Sequence, residues 1–579
     1  MKKLMNDPRH IVREMLEGAV ALAPGQALLD GETVVVRRPL PDGDAGRGTP
    51  WPVAVLSGGG SGHEPAHAGF VGTGMLAAAV AGNVFTSPSV DGVLAGLRAV
   101  ATPRGALLIV KNYTGDRLNF GLAAEIARAE GIPVEIVVVA DDVALRGTVE
   151  KARRRGIAGT VLVHKVAGAA AAAGLPLGDV AALARRAAEA MGSMGVALGG
   201  CTLPAAAGTG FALADDEIEL GLGIHGEPGV SRTHMRPADE LAELMVAAIS
   251  DDAGLAAGDR VALLVNGLGA TPAMELDIML RAALVRLRAR GIEVARAWRG
   301  TLLSALDMPG CSISVMRLDD ELTRLLDAPT DAPAWPGAGR VNPQPIQAAR
   351  AAPDEAPAGP GATPPGSGQL LRTAAVAAAQ ALLDQEATLT DLDAQTGDGD
   401  LGASMARAAR AIMDLPPAAW DTPAAALAEM GNALRRTVGG SSGPFYATAL
   451  LRASRRLAGG APPDAPAWAE AFSLAVDAVC ELGGAAPGDR TMVDALRPAA
   501  DALSGALAAG SGVPAALRAC AAAAGQGAAA TADMLPRLGR SSYIGGRALG
   551  IPDGGAVAVT IWLSAVSDAM TDAGDGSAA

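Results

Sequence analysis

The chain runs to 579 residues, half of them apolar, 19% charged and 3% aromatic, with a formal net charge of −14. That length is too great for a single hydrophobic core, and the composition is that of a folded chain rather than a disordered one. The acidic balance excludes a general nucleic-acid or anionic-membrane surface, so neither is expected as a partner.

The four cysteines, Cys201, Cys311, Cys480 and Cys520, stand far apart with no CxxC pair, as thiols of a reducing compartment do. No apolar core follows the opening MKKLMNDPRH, and stretches such as VAGAAAAAGLPLG are too weakly apolar to span a bilayer. A cytoplasmic location is expected.

In chain order, the first part alternates β-rich runs with Ala-rich helical segments. PVAVLSGG, ALLIVKNY and PVEIVVVADD come first, then the helical LGDVAALARRAAEAMG, then RVALLVNGLG and SISVMRLDD. This alternation predicts α/β layers around a largely parallel sheet, and a second strand–helix series from about Asp251 predicts two lobes. From about Trp335 to Gly368 the text is dense in Pro, Ala and Gly without apolar periodicity, which predicts an interdomain linker. Beyond it, LLRTAAVAAAQALLDQ, GASMARAARAIMDL, PAAALAEMGNALRRTV, FYATALLRASRRLA and WAEAFSLAVDAVCELG carry helical periodicity, and β-branched residues run together only at VAVTIW. An all-α bundle follows. The expected division is therefore 1–335 α/β, 336–368 linker and 369–579 all-α.

Two stretches carry chemistry. SGGGSGHEPAHAG, from Ser57 to Gly69, is a glycine-rich turn after a strand, the usual form of a phosphate cradle. It fails as one: the chain has no Gly-Lys pair, and Gly60-Ser-Gly62 is followed by His-Glu-Pro, not by a third spaced glycine. GLGIHG, Gly221 to Gly226, matches the dinucleotide pattern formally but continues Glu-Pro-Gly instead of opening a helix, so it is a decoy. What the first part does offer is polar residues in turns after strands: His63 and His67, then Lys111 and Asp116, then His225. Ligands of α/β sheets collect where such turns converge.

The second stretch is LTDLDAQTGDGDLGASM, with Asp393, Asp398 and Asp400. On one continuous helix, at about 100° per residue, Asp398 and Asp400 would point to nearly opposite sides. They converge only if Gly397 and Gly399 break the helix. Helical pattern restarts near Leu401, so the carboxylates would line a turn at a helix N-terminus, where phosphate and Mg²⁺ are both attracted.

SGGGSGHEPAHAGFVGTGML, AGNVFTSPS, VKNYTGDRLNF, VHKVAGAAAAAGLPL, LGGCTLPAAAG and ELGLGIHGEPG resemble the substrate-binding domain of dihydroxyacetone kinases. DAQTGDGDLGASM, GGSSGPFYATAL, GDRTMVDALRPA and GRSSYIGGRALGIPDGGA resemble their nucleotide-binding domain. The resemblance covers nearly the whole chain, in the domain order of the single-chain ATP-dependent members. It implies a two-lobed α/β substrate domain followed by an antiparallel helical barrel that binds ATP at one end.

The resemblance also implies site roles. His225 would bind the ketone carbon as a covalent hemiaminal, with His63 and Asp116 as its partners in catalysis. Gly60, Ser61, Gly62, His63, Lys111 and Asp116 would surround the substrate, while His67 receives no part. Asp393, Asp398 and Asp400 would hold Mg²⁺, two ions in the family. Leu401, Gly402, Ala403, Ser404, Gly440, Ser441, Ser442, Gly488, Thr491, Met492, Arg540, Asp553, Gly554 and Gly555 would line ATP. The implied activity is phosphorylation of dihydroxyacetone to its phosphate, by a homodimer. Alternatives are a kinase of erythrulose or glyceraldehyde, an added FAD-cyclising activity, or a non-catalytic ketose sensor, which would not need the aspartates. The chain departs from the family pattern at Leu401, where many relatives have His or Cys, and at IPDGGA, where Asp-Pro-Gly is expected. It departs again in RGTLLSALDMPGCSISVM, which lacks an expected aromatic residue.

Overall fold

A computed structural model of the chain describes residues 2–40, 51–204, 211–227, 229–342, 368–459 and 462–575; most of the expected linker, positions 343–367, lies outside them. The chain divides into two units, Met1–Ala349 and Arg350–Ala579.

The first unit contains two six-stranded mixed sheets. Strands β1 (Gln26–Leu28), β2 (Val34–Arg37), β3 (Ala54–Ser61), β4 (Ala78–Val84), β5 (Ala106–Lys111) and β6 (Val134–Val139) form the first, in the order β1-β2-β4-β3-β5-β6. Neighbours from β4 through β6 run parallel, and β1 and β2 extend the edge antiparallel. Helices Val90–Val100 and Thr114–Ala129 supply the crossovers into β5 and β6. The chain leaves β3 toward β4 and then returns to β5 on the other side. Strand order therefore reverses between β3 and β5, which opens a crevice at their carboxyl ends.

The second sheet departs from the parallel expectation. It comprises β7 (Met191–Ala197), β8 (Glu217–Leu220), β9 (Ser231–His234), β10 (Arg260–Gly267), β11 (Glu293–Gly300) and β12 (Gly310–Arg317), ordered β11-β10-β12-β7-β8-β9. Among the described residues only strands β10 and β11 pair in parallel here, joined through the helix Ala273–Ala289. The link from β11 to β12 is too short for a helical crossover, so β12 returns antiparallel to β10. This sheet also begins at β7, well before the expected Asp251. GLGIHG lies between β8 and β9 and opens no helix.

Helix Thr160–Ala172 is buried along its length through Ala171. It shares one core with residues of both sheets, including Val55, Leu107, Leu264 and Met316. Its residues are mostly small or apolar, and even His164 and Lys165 are buried, so no side of it serves as a solvent face and it lies between layers.

The second unit is all-helical. Helices Gln369–Asp384, Glu386–Thr396, Leu401–Met413, Pro423–Thr437, Ser442–Leu457, Ala465–Gly483, Val493–Ala508, Val513–Ala530 and Gly554–Asp575 follow one another. From Leu401–Met413 onward each packs on the next, and the last packs back on Gln369–Asp384, which closes a ring. Three starts are capped by the side chains of Thr422, Asp464 and Asp553, as where Thr422 Oγ1 accepts from the Ala425 N–H ahead of Pro423. VAVTIW lies inside the last helix, where packing on its neighbours overrides its β-branched residues. Among the described residues one stretch of that helix, Gly554–Thr571, is long and apolar enough to cross a membrane by length and composition. Here it is one wall of the ring.

Candidate active site

The crevice beside β3 and β5 is where the polar turns meet. β3 reads AVLSGGGS because its strand is buried from end to end and its last residues must let other backbone close in. Gly60 shows the constraint: a Cβ there would lie 2.6 Å from the Thr86 amide nitrogen and against the Phe85 backbone. Ser61 Oγ, in turn, donates to the Gly82 carbonyl of β4, 2.7 Å away. Gly62 turns the chain at φ +97°.

His63 follows and is wholly buried. Its Nδ1 donates to the Ser304 carbonyl at 2.9 Å, which leaves Nε2 as the bare lone pair. Nε2 has no hydrogen-bond partner among the described residues. Burial, reinforced by Lys111 and His225, holds His63 neutral well below the ordinary histidine range.

His225 stands beside it, with ring centroids 4.9 Å apart and planes at 74°. Phe85 and Tyr113 also present themselves edge-on to His225, at 5.3 Å and 4.5 Å. Its loop is fixed by Glu227, which accepts the His225 N–H at 2.8 Å and faces Arg155 at 3.4 Å. Arg155 also pairs with buried Asp142 at 2.7 Å and donates to the Gly221 carbonyl. Burial pushes His225 below its ordinary value, against the pull of Glu227. The result is a neutral, half-buried imidazole in an aromatic collar.

Lys111 ends β5 and is wholly buried. Its Nζ lies 3.7 Å from Oδ2 of Asp116, itself buried in the first turn of helix Thr114–Ala129. Burial lowers the Lys111 pKa, with Asp116 opposing. The structure thus brings together Gly60, Gly62, His63, Lys111, Asp116 and His225 from strands and loops far apart in sequence. Sequence reasoning missed Ser304, Tyr113 and Glu227. Tyr113 and Glu227 sit inside the motifs VKNYTGD and GIHGEPG, but Ser304 is 241 residues from His63 and had no local signal. Ser304 lies in the RGTLLSALDMPG segment. There Leu306 stands 3.1 Å from where a Cβ on Gly62 would be, so the segment lacking the expected aromatic borders the turn directly.

In the second unit, the helix Glu386–Thr396 stops at Gly397, and Gly399 adopts φ +77° before Leu401–Met413 begins. A Cβ on Gly397 would overlap the Asp393 carboxylate. The break lets Asp393, Asp398 and Asp400 place one oxygen each within 4.8 Å of the others. Asp393 Oδ2 accepts the N–H groups of Asp400 and Leu401, at 2.9 and 3.3 Å. The Asp400 side chain caps nothing. Three clustered hard oxygen donors, two of them exposed, fit a Mg²⁺ ion that keeps waters and phosphate oxygens as its other ligands. Arg540 pairs with Asp398 across this turn.

The expected ATP residues gather around the same end of the ring. A Cβ on Gly554 would lie 2.8 Å from Leu401, and one on Gly555 would lie 3.5 Å from Met492 Cβ. Gly402 lets its helix approach Glu386 and Thr390, Ala403 follows it, and Ser404 Oγ accepts from Arg407. Asp494 accepts from the amides of Gly488 and Thr491, shaping that loop. Asp553 caps the last helix through the Ala556 N–H, and burial lifts its carboxyl to about 6. Gly440, Ser441 and Ser442 form the turn into Ser442–Leu457, next to Val438, which packs on Ala408 of the Leu401–Met413 helix. Arg490, missed from sequence, is buried and donates to the carbonyls of Ala548 and Ile551, tying GDRTM to the loop before Asp553.

Residues 17–334 match the Dak1 domain and residues 395–568 the DAK2 domain. The chain is 44% identical to the human triokinase/FMN cyclase, over 98% of this chain and 99% of that protein. It is 38% identical to the D-erythrulose kinase of Mycolicibacterium smegmatis, over 99% of each. Among solved structures, the dihydroxyacetone kinase of C. freundii in complex with AMP-PNP and Mg²⁺ aligns with a TM-score of 0.62 at 36% identity, covering 98% of this chain and 99% of that one.

Proposed function

Because the chain belongs to the family of single-chain ATP-dependent dihydroxyacetone kinases with Dak1 and DAK2 domains, we propose that it phosphorylates dihydroxyacetone on a terminal hydroxyl. It is an ATP-dependent kinase of small ketoses or aldoses. The observation that carries the narrower reading is the neutral imidazole pair His63–His225, set in an aromatic collar with the buried Lys111–Asp116 pair alongside.

A neutral imidazole is nucleophilic, and burial keeps His225 in that form. Its ring nitrogen adds to the ketone carbon. The carbonyl oxygen becomes a hydroxyl by taking up the proton that the imidazole ring releases, so the adduct is a neutral hemiaminal. Covalent capture fixes the terminal hydroxyl and turns binding into orientation. Glycerol, without a carbonyl, is excluded. Lys111 and Asp116 hydrogen-bond the sugar hydroxyls, and Gly60 lets the backbone close on a three-carbon chain. The bare Nε2 of His63 supports it as acceptor of the hydroxyl proton during transfer, with Asp116 the other candidate.

Asp393, Asp398 and Asp400 would hold Mg²⁺, two ions by family resemblance, which neutralises phosphate charge when bound. The amides at the start of Leu401–Met413 and the turn at Gly440–Ser442 would bind phosphate, Thr491 and Met492 would contact the adenine, and Arg540 would close over the nucleotide. The proposal places the enzyme in the cytoplasm as a homodimer, with its substrate domain at 1–335 and its ATP domain at 369–579.

Kinship with a D-erythrulose kinase favours a second reading, a four-carbon ketose as preferred substrate. A coupled kinase assay over three- and four-carbon ketoses and aldoses, with wild type and His225→Ala, tests both. The order of kcat/KM values assigns the sugar. Full ketose activity in His225→Ala would overturn covalent capture.

A further inference from the structure

His67, the second histidine of the glycine turn, has no part in the reading above, yet it is buried against Lys111. Lys111 Nζ is 2.8 Å from His67 Nε2, 3.2 Å from the Gly58 carbonyl and 3.7 Å from Asp116 Oδ2. An ammonium has three N–H groups and no lone pair, so the Gly58 carbonyl and His67 Nε2 take one each and the third is left facing Asp116 and the sugar. We propose that His67 is a positioning residue: its Nε2 lone pair and the Gly58 carbonyl form a two-acceptor cage that keeps the Lys111 ammonium charged, with its third N–H aimed at Asp116 and the substrate. This rests on the assignment of Lys111 and Asp116 to the substrate site.

The cage dictates a tautomer. If Nε2 accepts, the His67 proton is on Nδ1, an atom that is buried without a partner among the described residues. A protonated His67 is excluded, because it would offer the ammonium a second cation and no lone pair. Every charged or titratable group facing Lys111 favours the same state. His63 in the turn, His164 on the Thr160–Ala172 helix and His225 on its loop are all held neutral chiefly by burial, His164 down to about 3. Among the described residues Asp116 is the one carboxylate paired with the ammonium. Gly59 belongs to the same construction, since a Cβ there would sit 2.4 Å from Lys111 Nζ. A glycine is needed where the ammonium lies against the strand.

Two measurements test this. Histidine-selective ¹⁵N NMR of the wild-type protein, which has six histidines, reads the tautomer without any substitution. The proposal requires one buried histidine with Nδ1 protonated and Nε2 bare, assigned to His67 by its absence in His67→Gln. A proton on Nε2 would overturn it. The kinase assay then compares His67→Gln, whose Oε1 can still accept, with His67→Leu, which fills the space but cannot. Leu should raise the ketose KM about tenfold or more, as expected for a buried charge left one acceptor short, and pull the alkaline limb of kcat/KM to lower pH. Gln should stay within about threefold of wild type. Equal losses in Gln and Leu, or an unmoved alkaline limb in Leu, would reduce His67 to a packing role. Lys111→Met separates the premise: a ketose KM unchanged there would refute Lys111 as a substrate ligand, whatever the His67 tautomer.

Discussion

The two candidate sites of this chain are built on opposite plans. In the α/β unit the groups around the half-buried His225 are interior ones: His63 and Lys111 are wholly enclosed, and Asp116 nearly so. Their protonation states are set by the interior. In the helical unit Asp398 and Asp400 are exposed, and the chain there contains no histidine. A site that must keep an imidazole neutral and nucleophilic needs low dielectric and fixed neighbours. A site for a hydrated cation and a triphosphate needs open carboxylates and free helix-start amides. The difference in burial follows from the difference in chemistry.

That contrast breaks most readily at the carboxylates. Asp398→Asn with Asp400→Asn should lower kinase turnover about a thousandfold while leaving ketose binding within about twofold, read by calorimetry without nucleotide. Loss of ketose binding as well would mean that the two sites are not separable. His225→Ala should cost about a hundredfold in ketose kcat/KM while leaving the affinity for Mg²⁺-ATP unchanged. Arg490→Ala should destabilise the helical unit by about 2–4 kcal/mol, because two buried carbonyls lose their donor, and denaturant unfolding reads that change.

The remaining effects are in pH dependence, where the two units differ in sign. Burial holds His164 down to about 3, so between there and the ordinary histidine range the unfolded chain binds the extra proton. Stability from His164 is therefore fully present above about 6.5 and lost as pH falls, by at most about 1.4 kcal/mol per pH unit. His164→Leu should flatten that slope. Asp553 is raised to about 6, so its native state holds the proton longer than the unfolded one, and its contribution is lost as pH rises through about 4 to 6. Asp553→Asn should remove that opposite slope. Matching slopes in the two variants would show that burial does not set these charges.

Much of this arrangement was legible in the residues. β3, β5, β6, β10 and β12 announced themselves through β-branched runs, and the helical periods of the second unit fell on helices. β4 (AAVAGNV) and β7 (MGSMGVA) did not, because small residues carry little strand signal and earn their place by letting other backbone approach. The antiparallel return of β12 onto β10 depended on the length of one connection. At the sites, the Gly397–Gly399 break could be deduced because convergence of the aspartates demanded it. The tautomer of His63 could not, because it is written by a carbonyl at Ser304 on a distant loop.

The most direct test of the central claim uses dihydroxyacetone labelled with ¹³C at the carbonyl and mixed with the protein in the absence of nucleotide. The bound carbonyl signal should move from the ketone to the tetrahedral region in wild type and in Asp398→Asn, but not in His225→Ala. A bound ketone signal in wild type, or a tetrahedral one that survives in His225→Ala, would contradict it.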